Sequence, residues 1–318
     1  MTDVVADAEP EHDRAGLRWW KEVLLAAGVY VVYTFVRNQF GSAGGDPGPA
    51  FGHARDLIEL EDALHLYVEP SIQRWYLDLP ADGLIRLWNV YYGIAHFLVT
   101  FVALVWMFRR DPSRHRVLRN TLALTTALAV IGFAAYSLMP PRLLDDPGEY
   151  GGCQLYAPEA AAAAAPGDLT APGCDEFGYV DTIATHGGWI SFGNEGMEDL
   201  SNQYAAMPSM HIGWSTWSAM VLLPLVRRRG AKALVVAYPF ITLVCIVVTG
   251  NHYWIDGVGG LVCIGAGYLV ARAATHWWEG RRVPALPATA TIGSRAAAGA
   301  EAGTDSGTRQ GRSPRVPQ

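Results

Sequence analysis

The chain has 318 residues, of which 51% are hydrophobic and 11 are tryptophan, and its formal net charge at pH 7 is −6. Its apolar residues gather in long blocks, which excludes an ordinary soluble pair of domains and points to a membrane protein. The acidic balance gives no support for nucleic acid as a partner.

In chain order, residues 1–17 read as a cytoplasmic tail without the pattern of a signal peptide. About 20 mostly apolar residues suffice to cross roughly 30 Å of hydrocarbon. The first such run is 18–36, with Lys21 and Glu22 expected at the interface beside Trp19 and Trp20, and with Arg37 and Asn38 at its far end. A turn, "FGSAGGDPGP", follows. Residues 54–69 then set Leu57, Leu60, Leu64 and Val68 on one helical stripe. That spacing predicts an amphipathic helix on the outer face, lying on the membrane or packed on the spans, with Pro70 ending or bending it.

The second and third runs, 84–108 and 117–138, flank a segment rich in arginine, from Arg109 to Arg119. Asn89 and His96 fall in the second run, and the third ends in "MPPR", which carries Arg142. Residues 139–207 hold eleven acidic residues against that single arginine and read as a long outer loop. Its alanine run, "APEAAAAAAPGD", reads as an insertion. Cys153 and Cys174 lie in the same loop, where oxidising conditions permit a disulfide. The remaining spans are 208–226, 233–250 and 256–275, the last flanked by Trp277 and Trp278; Cys245 and Cys263 inside them read as small buried hydrophobes. Residues 280–318, rich in Ala, Gly, Ser, Thr and Pro, predict a disordered cytoplasmic tail.

These elements predict an all-α polytopic bundle of six transmembrane helices over residues 18–279. Arg14, Arg18 and Lys21, the arginines of 109–119, Arg227 to Lys232, and Arg281 with Arg282 then share one side. The positive-inside bias makes that side cytoplasmic and leaves loop 139–207 outside the plasma membrane.

With the spans so arranged, several polar groups reach one depth at the outer boundary. They are His252 and Asp256 from "VVTGNHYWIDGVGG", Ser209 and His211 from "AAMPSMHIGW", Arg142, Arg37, and, in the outer half of the second span, Asn89 and His96. Ionisable residues at membrane depth are costly and point to function. A helix start offers free N–H groups and a positive dipole end to phosphate, Ser209 adds a hydroxyl, and Arg142 and Arg37 can grip phosphate with two parallel bonds. His252, with Asp256 four residues on, reads as a nucleophile with its orienting carboxylate, and His211 as the acid for the leaving oxygen. His96 reads equally as a substrate contact or a polar link within the bundle, Asn89 as a link between helices. An anion transporter or proton-coupled carrier using the same cluster is the alternative, although transporter sites lie nearer the midplane. A divalent metal on the two histidines and Asp256 is disfavoured by the neighbouring arginines, so no metal or cofactor is expected.

"PSMH" followed by "HYWID" resembles the second and third motifs of the type 2 phosphatidic acid phosphatase superfamily. "WNVYYGIAHF", "MPPRL" and "GNHYWIDGVGG" look most like its inositolphosphotransferase branch, related to fungal inositol phosphorylceramide synthase, over roughly residues 20–275. The resemblance implies that His252 is the nucleophile, Asp256 its partner and His211 the proton donor. It also implies a phospholipid or lipid-phosphate substrate, hydrolysed or passed to an alcohol acceptor. Departures are clear. Cys245 and Ile246 stand where the phosphatase pattern has Ser-Arg, Ala135 and Leu143 break the first motif around Arg142, and Met210 replaces a glycine. The site is therefore short of cations, which singles out Arg37 and argues against a haloperoxidase.

Overall fold

The computed structural model describes residues 18–40, 46–80, 82–165, 171–187 and 203–281. The expectations for 1–17, for most of 280–318, for parts of loop 139–207 and for the side chain of Arg37 lie outside the described residues. Residues 279–318 separate from the rest as a second unit, of which only the first few residues are described.

Helix α1 (Trp19–Phe40) is joined to α5 (Pro112–Ala135) by an ion pair, Arg119 Nη1 to Glu22 Oε1 at 2.7 Å. Asp111 caps α5, accepting from the Arg114 N–H, with Pro112 in the first turn where its missing N–H costs nothing. Between them runs α4 (Asp82–Arg110). Three more long helices follow the loop 139–207: α10 (Met210–Leu225), α11 (Arg229–Val248) and α12 (Trp254–Gly280). Among the described residues, four helices are long and apolar enough to cross a membrane: Gly83–Arg110, Pro112–Ala135, Arg229–Val248 and Trp254–Trp278. The α10 helix has 16 residues, about 24 Å at 1.5 Å per residue, shorter than the run of 208–226. It packs against α4, α5 and α11, with Trp217 and Val221 fully buried. The Trp217 Nε1–H donates to the Leu118 carbonyl at 2.7 Å, satisfying the one polar atom of that ring.

Residues 47–77 depart from the single amphipathic helix expected over 54–69. Helix α2 (Pro47–Ala63) begins earlier because Asp46 caps it and Pro47 suits its first turn. It ends when His65 turns left-handed (φ 58°), with Leu66 N–H returning to the Glu61 carbonyl and His65 N–H to that of Asp62. Pro70 does not end this helix but sits in the first turn of the next, α3 (Glu69–Leu77). The apolar stripe divides accordingly. Leu57 is buried with Ala50, Phe51 and Ala54 against Leu138, Met139, Leu144 and Tyr253, whereas Leu60, Leu64 and Val68 are exposed.

Short helices α6 (Pro141–Leu144), α7 (Cys153–Tyr156), α8 (Pro158–Ala163) and α9 (Thr182–His186) shape the described parts of the loop 139–207. A disulfide joins Cys153 to Cys174.

Candidate active site

The site forms where the start of α10 meets the start of α12. Ser209 is the N-terminal cap residue of α10, and its own N–H donates to the Asp256 carbonyl at 2.9 Å, which locks the two helix starts together. Glycine makes this approach feasible. A Cβ on Gly260 would run into the Ser209 carbonyl, and one on Gly132 would stand 2.6 Å from Pro208 Cδ. The Ser209 hydroxyl is buried and has no hydrogen-bond partner.

His252 sits in the turn between α11 and α12 and is 4% exposed. Its Nδ1 lies 2.8 Å from the Ala206 carbonyl and 3.3 Å from Asp256 Oδ2. Carbonyl and carboxylate oxygens only accept, so the neutral ring must carry its proton on Nδ1, leaving the Nε2 lone pair free. Asp256 is fully buried. Its Oδ2 also accepts the Tyr253 N–H at 2.9 Å, while Oδ1 has no partner.

His211, in the first turn of α10, brings its ring centroid to 5.4 Å from that of His252. Tyr92 of α4 stacks on the His211 ring at 4.2 Å and lies 6.2 Å from that of His252, and His96 stands 4.1 Å from His211. The His96 Nδ1–H donates to the Tyr92 carbonyl at 3.1 Å. Three imidazoles and a phenol ring from three distant stretches therefore converge. Tyr91, Tyr92, His96, His211, Thr242, Cys245 and Ile246 border a crevice beside them that is too narrow to hold a water molecule. Among the described residues, no three His, Cys, Asp or Glu side chains are grouped as a metal ion would require.

Arg142 is differently engaged from the phosphate grip read in the sequence. Its Nη1 is paired with Asp181 Oδ2 and its Nη2 with Gln203 Oε1, each at 2.6 Å, and its Nε has no partner among the described residues. Its backbone N–H donates to the Gly250 carbonyl at 2.7 Å, which holds the arginine two residues from His252. Burial works against its charge, but the Asp181 carboxylate outweighs that and lifts the guanidinium pKa above its ordinary value. Asp181 in turn caps α9 through Ile183 and Ala184.

Asn89 also serves the loop rather than a neighbouring span. Its amide donates to the Thr182 and Gly187 carbonyls and accepts from the Thr182 hydroxyl. Gln73 of α3 clasps the same strap, bonding Val180 on both its N–H and carbonyl and reaching the Val248 carbonyl. Sequence reading missed Gln73, Asp181 and Tyr92. Only Tyr92 left a signal, its four-residue spacing from His96, which puts both on one helix face.

A family model described as the PAP2 superfamily matches residues 55–270. No curated protein and no solved structure matches the chain.

Proposed function

The chain belongs to the PAP2 superfamily, whose members are generally phosphatases or phosphotransferases, and on that premise we propose an integral-membrane enzyme working through a phosphohistidine. It moves a phosphoryl group, or a phosphate-bearing headgroup of the inositol phosphate type, at the extracytoplasmic face. One observation carries the reading: the rings of His211 and His252 stand 5.4 Å apart, and the proton of His252 is tied behind it at Nδ1. A single phosphate can touch both rings.

The chemistry follows from those positions. The Nε2 lone pair of His252 attacks phosphorus as the bond to the leaving oxygen breaks, and protonated His211 gives that oxygen its proton. The positive charge gained by His252 is met by Asp256 and the Ala206 carbonyl. Water or an alcohol then loses its proton to His211 and attacks phosphorus. The P–N bond breaks and its electrons return to His252. The unpartnered Ser209 hydroxyl and the free N–H groups at the start of α10 suit the phosphate oxygens. Because both terminal nitrogens of Arg142 are occupied, it contributes charge rather than a two-pronged grip, and Arg37 is the further cation we propose. His96 backs His211 and borders the leaving group. We place α1 and α10 with the four long apolar helices as six spans, with both termini cytoplasmic and the site outside, on the distribution of basic residues.

The decisive assay gives purified protein labelled phospholipids and lipid phosphates, with and without inositol and other alcohols. Transfer yields a new lipid when an alcohol is present, hydrolysis yields free phosphate or a free phosphate ester, and His252→Ala loses either product. Turnover retained by His252→Ala would overturn the nucleophile. Labelling of Cys153 and Cys174, after reduction in intact cells, by an impermeant thiol reagent tests the orientation.

A further inference from the structure

Two buried carboxyls outside the reacting groups lie directly behind the nucleophilic turn. Glu69, the first residue of α3, is fully buried. Its Oε1 accepts the N–H of Trp254 at 3.1 Å, and its Oε2 accepts the N–H of Val68 at 3.0 Å. Glu61, near the end of α2, is 1% exposed, faces the Glu69 carboxyl, and has no N–H or O–H donor on either oxygen. We propose that Glu69 is a positioning residue for the turn that carries His252, and that Glu61 holds a proton shared between the two carboxyls which makes the arrangement tenable.

The argument starts from the unsatisfied donors at the start of α12. A helix start leaves its first N–H groups without partners. The Tyr253 N–H is taken by Asp256 Oδ2 and the Trp254 N–H by Glu69 Oε1. Remove Glu69, and the Trp254 N–H is left buried beside Asp256, whose Oδ1 is free to rotate towards it. Asp256 holds His252 only at 3.3 Å, so such a rotation breaks the longer of the two bonds that orient the ring. Glu69 thus reserves Asp256 for His252.

Two ionised carboxylates side by side in a dry setting repel each other, and a single shared proton resolves this. The groups acting on Glu61 are all acidic or phenolic: Glu69 from α3, Asp256 from α12, and Tyr67 and Tyr253 from the adjoining turns. Burial first, and then the Glu69 charge, push the Glu61 carboxyl up to about 8. Its proton is therefore present at neutral pH and lost under alkaline conditions, when a second negative charge appears behind Asp256.

The inference rests on the phosphohistidine reading for its kinetic arm and not for its spectroscopic one. The kinetic arm uses dioleoyl phosphatidic acid in mixed micelles. Glu69→Ala should lower kcat on the order of 10- to 100-fold with KM little changed, and Glu69→Gln, which keeps an acceptor oxygen, should restore most of it. Equal losses in the two variants, or none in Glu69→Ala, overturn the positioning role. The spectroscopic arm follows the protonated-carboxyl stretch by infrared difference spectroscopy of the full chain in phosphatidylcholine nanodiscs. The band should be present at neutral pH, fade through about pH 8, and be missing in Glu61→Gln. A wild-type protein without that band overturns the shared proton. A wild-type protein that turns over no lipid phosphate at all overturns the phosphohistidine reading instead, and the infrared result still decides on the proton.

Discussion

His252 is held more closely by the main-chain oxygen of Ala206, at 2.8 Å, than by the carboxylate of Asp256, at 3.3 Å. The tautomer that frees Nε2 is thus fixed twice, once by backbone that no side-chain change can remove. Asp256 accepts the Tyr253 N–H and, in the proposed reaction, stabilises the charge of the imidazolium.

The two changes should therefore differ in severity. His252→Ala removes the atom proposed to attack phosphorus and should abolish turnover. Asp256→Asn leaves an acceptor for the Tyr253 N–H and the Ala206 bond intact, so its kcat should fall by only about 10- to 100-fold. Steady-state kinetics on one lipid phosphate checks the ranking. Equal, complete loss in both variants would mean that the carboxylate alone orients the ring.

His211 makes a second prediction through the leaving group. A general acid matters most when the departing oxygen is basic. His211→Ala should cost about 100- to 10,000-fold on an alkyl phosphate ester. On p-nitrophenyl phosphate, whose phenolate leaves unaided, the same variant should release one burst of nitrophenol and then stall, since the base for the second step is missing. Stopped-flow absorbance distinguishes this from a uniform loss, which would argue that His211 serves binding alone.

The parts of the fold legible in the sequence were those governed by local chemistry. Continuous apolar runs fix the long helices through the length of a membrane crossing, and Asp111 with Pro112 marks a helix start that depends on no distant contact. "PSMH" and "HYWID" were legible because their residue types and spacing suit phosphate chemistry. Contacts across long sequence separations were not. Gln73 bonds Val248, 175 positions away, and Glu69 bonds Trp254, 185 positions away. Nothing local separates those side chains from the exposed polar residues of an amphipathic helix. Arg142 shows the opposite error. Its position beside the site was legible, but its occupation by Asp181 and Gln203 depends on how the loop 139–207 folds back.

That occupation gives a third prediction. Asp181 neutralises Arg142, at 18% and 7% side-chain exposure for the arginine and the aspartate, and caps α9 through two N–H groups. Asp181→Ala should lose about 2–4 kcal/mol, combining an unpaired, mostly buried cation with a lost cap. In a thermal-shift assay in detergent this corresponds to a Tm lower by roughly 5–10 °C. Arg142→Gln in the same background should recover part of the loss, because the stranded charge is gone. A double variant less stable than Asp181→Ala would show that the arginine has other work than balancing that carboxylate.

The fourth prediction concerns pH and Glu61. Its ordinary value is 4.5, and in the folded protein burial and the Glu69 charge raise it to about 8. Between those values the folded state keeps a proton that the unfolded chain has released, so raising the pH favours unfolding. The protein should be most resistant to heat below about pH 4.5 as far as this group is concerned, lose stability as pH rises to about 8, and level off above it. Glu61→Gln carries no titrating carboxyl and should flatten that decline. The measurement is Tm against pH for both proteins in the same detergent, compared as a difference so that other groups cancel. A difference that stays constant across the range would place the Glu61 carboxyl in water rather than behind the catalytic turn.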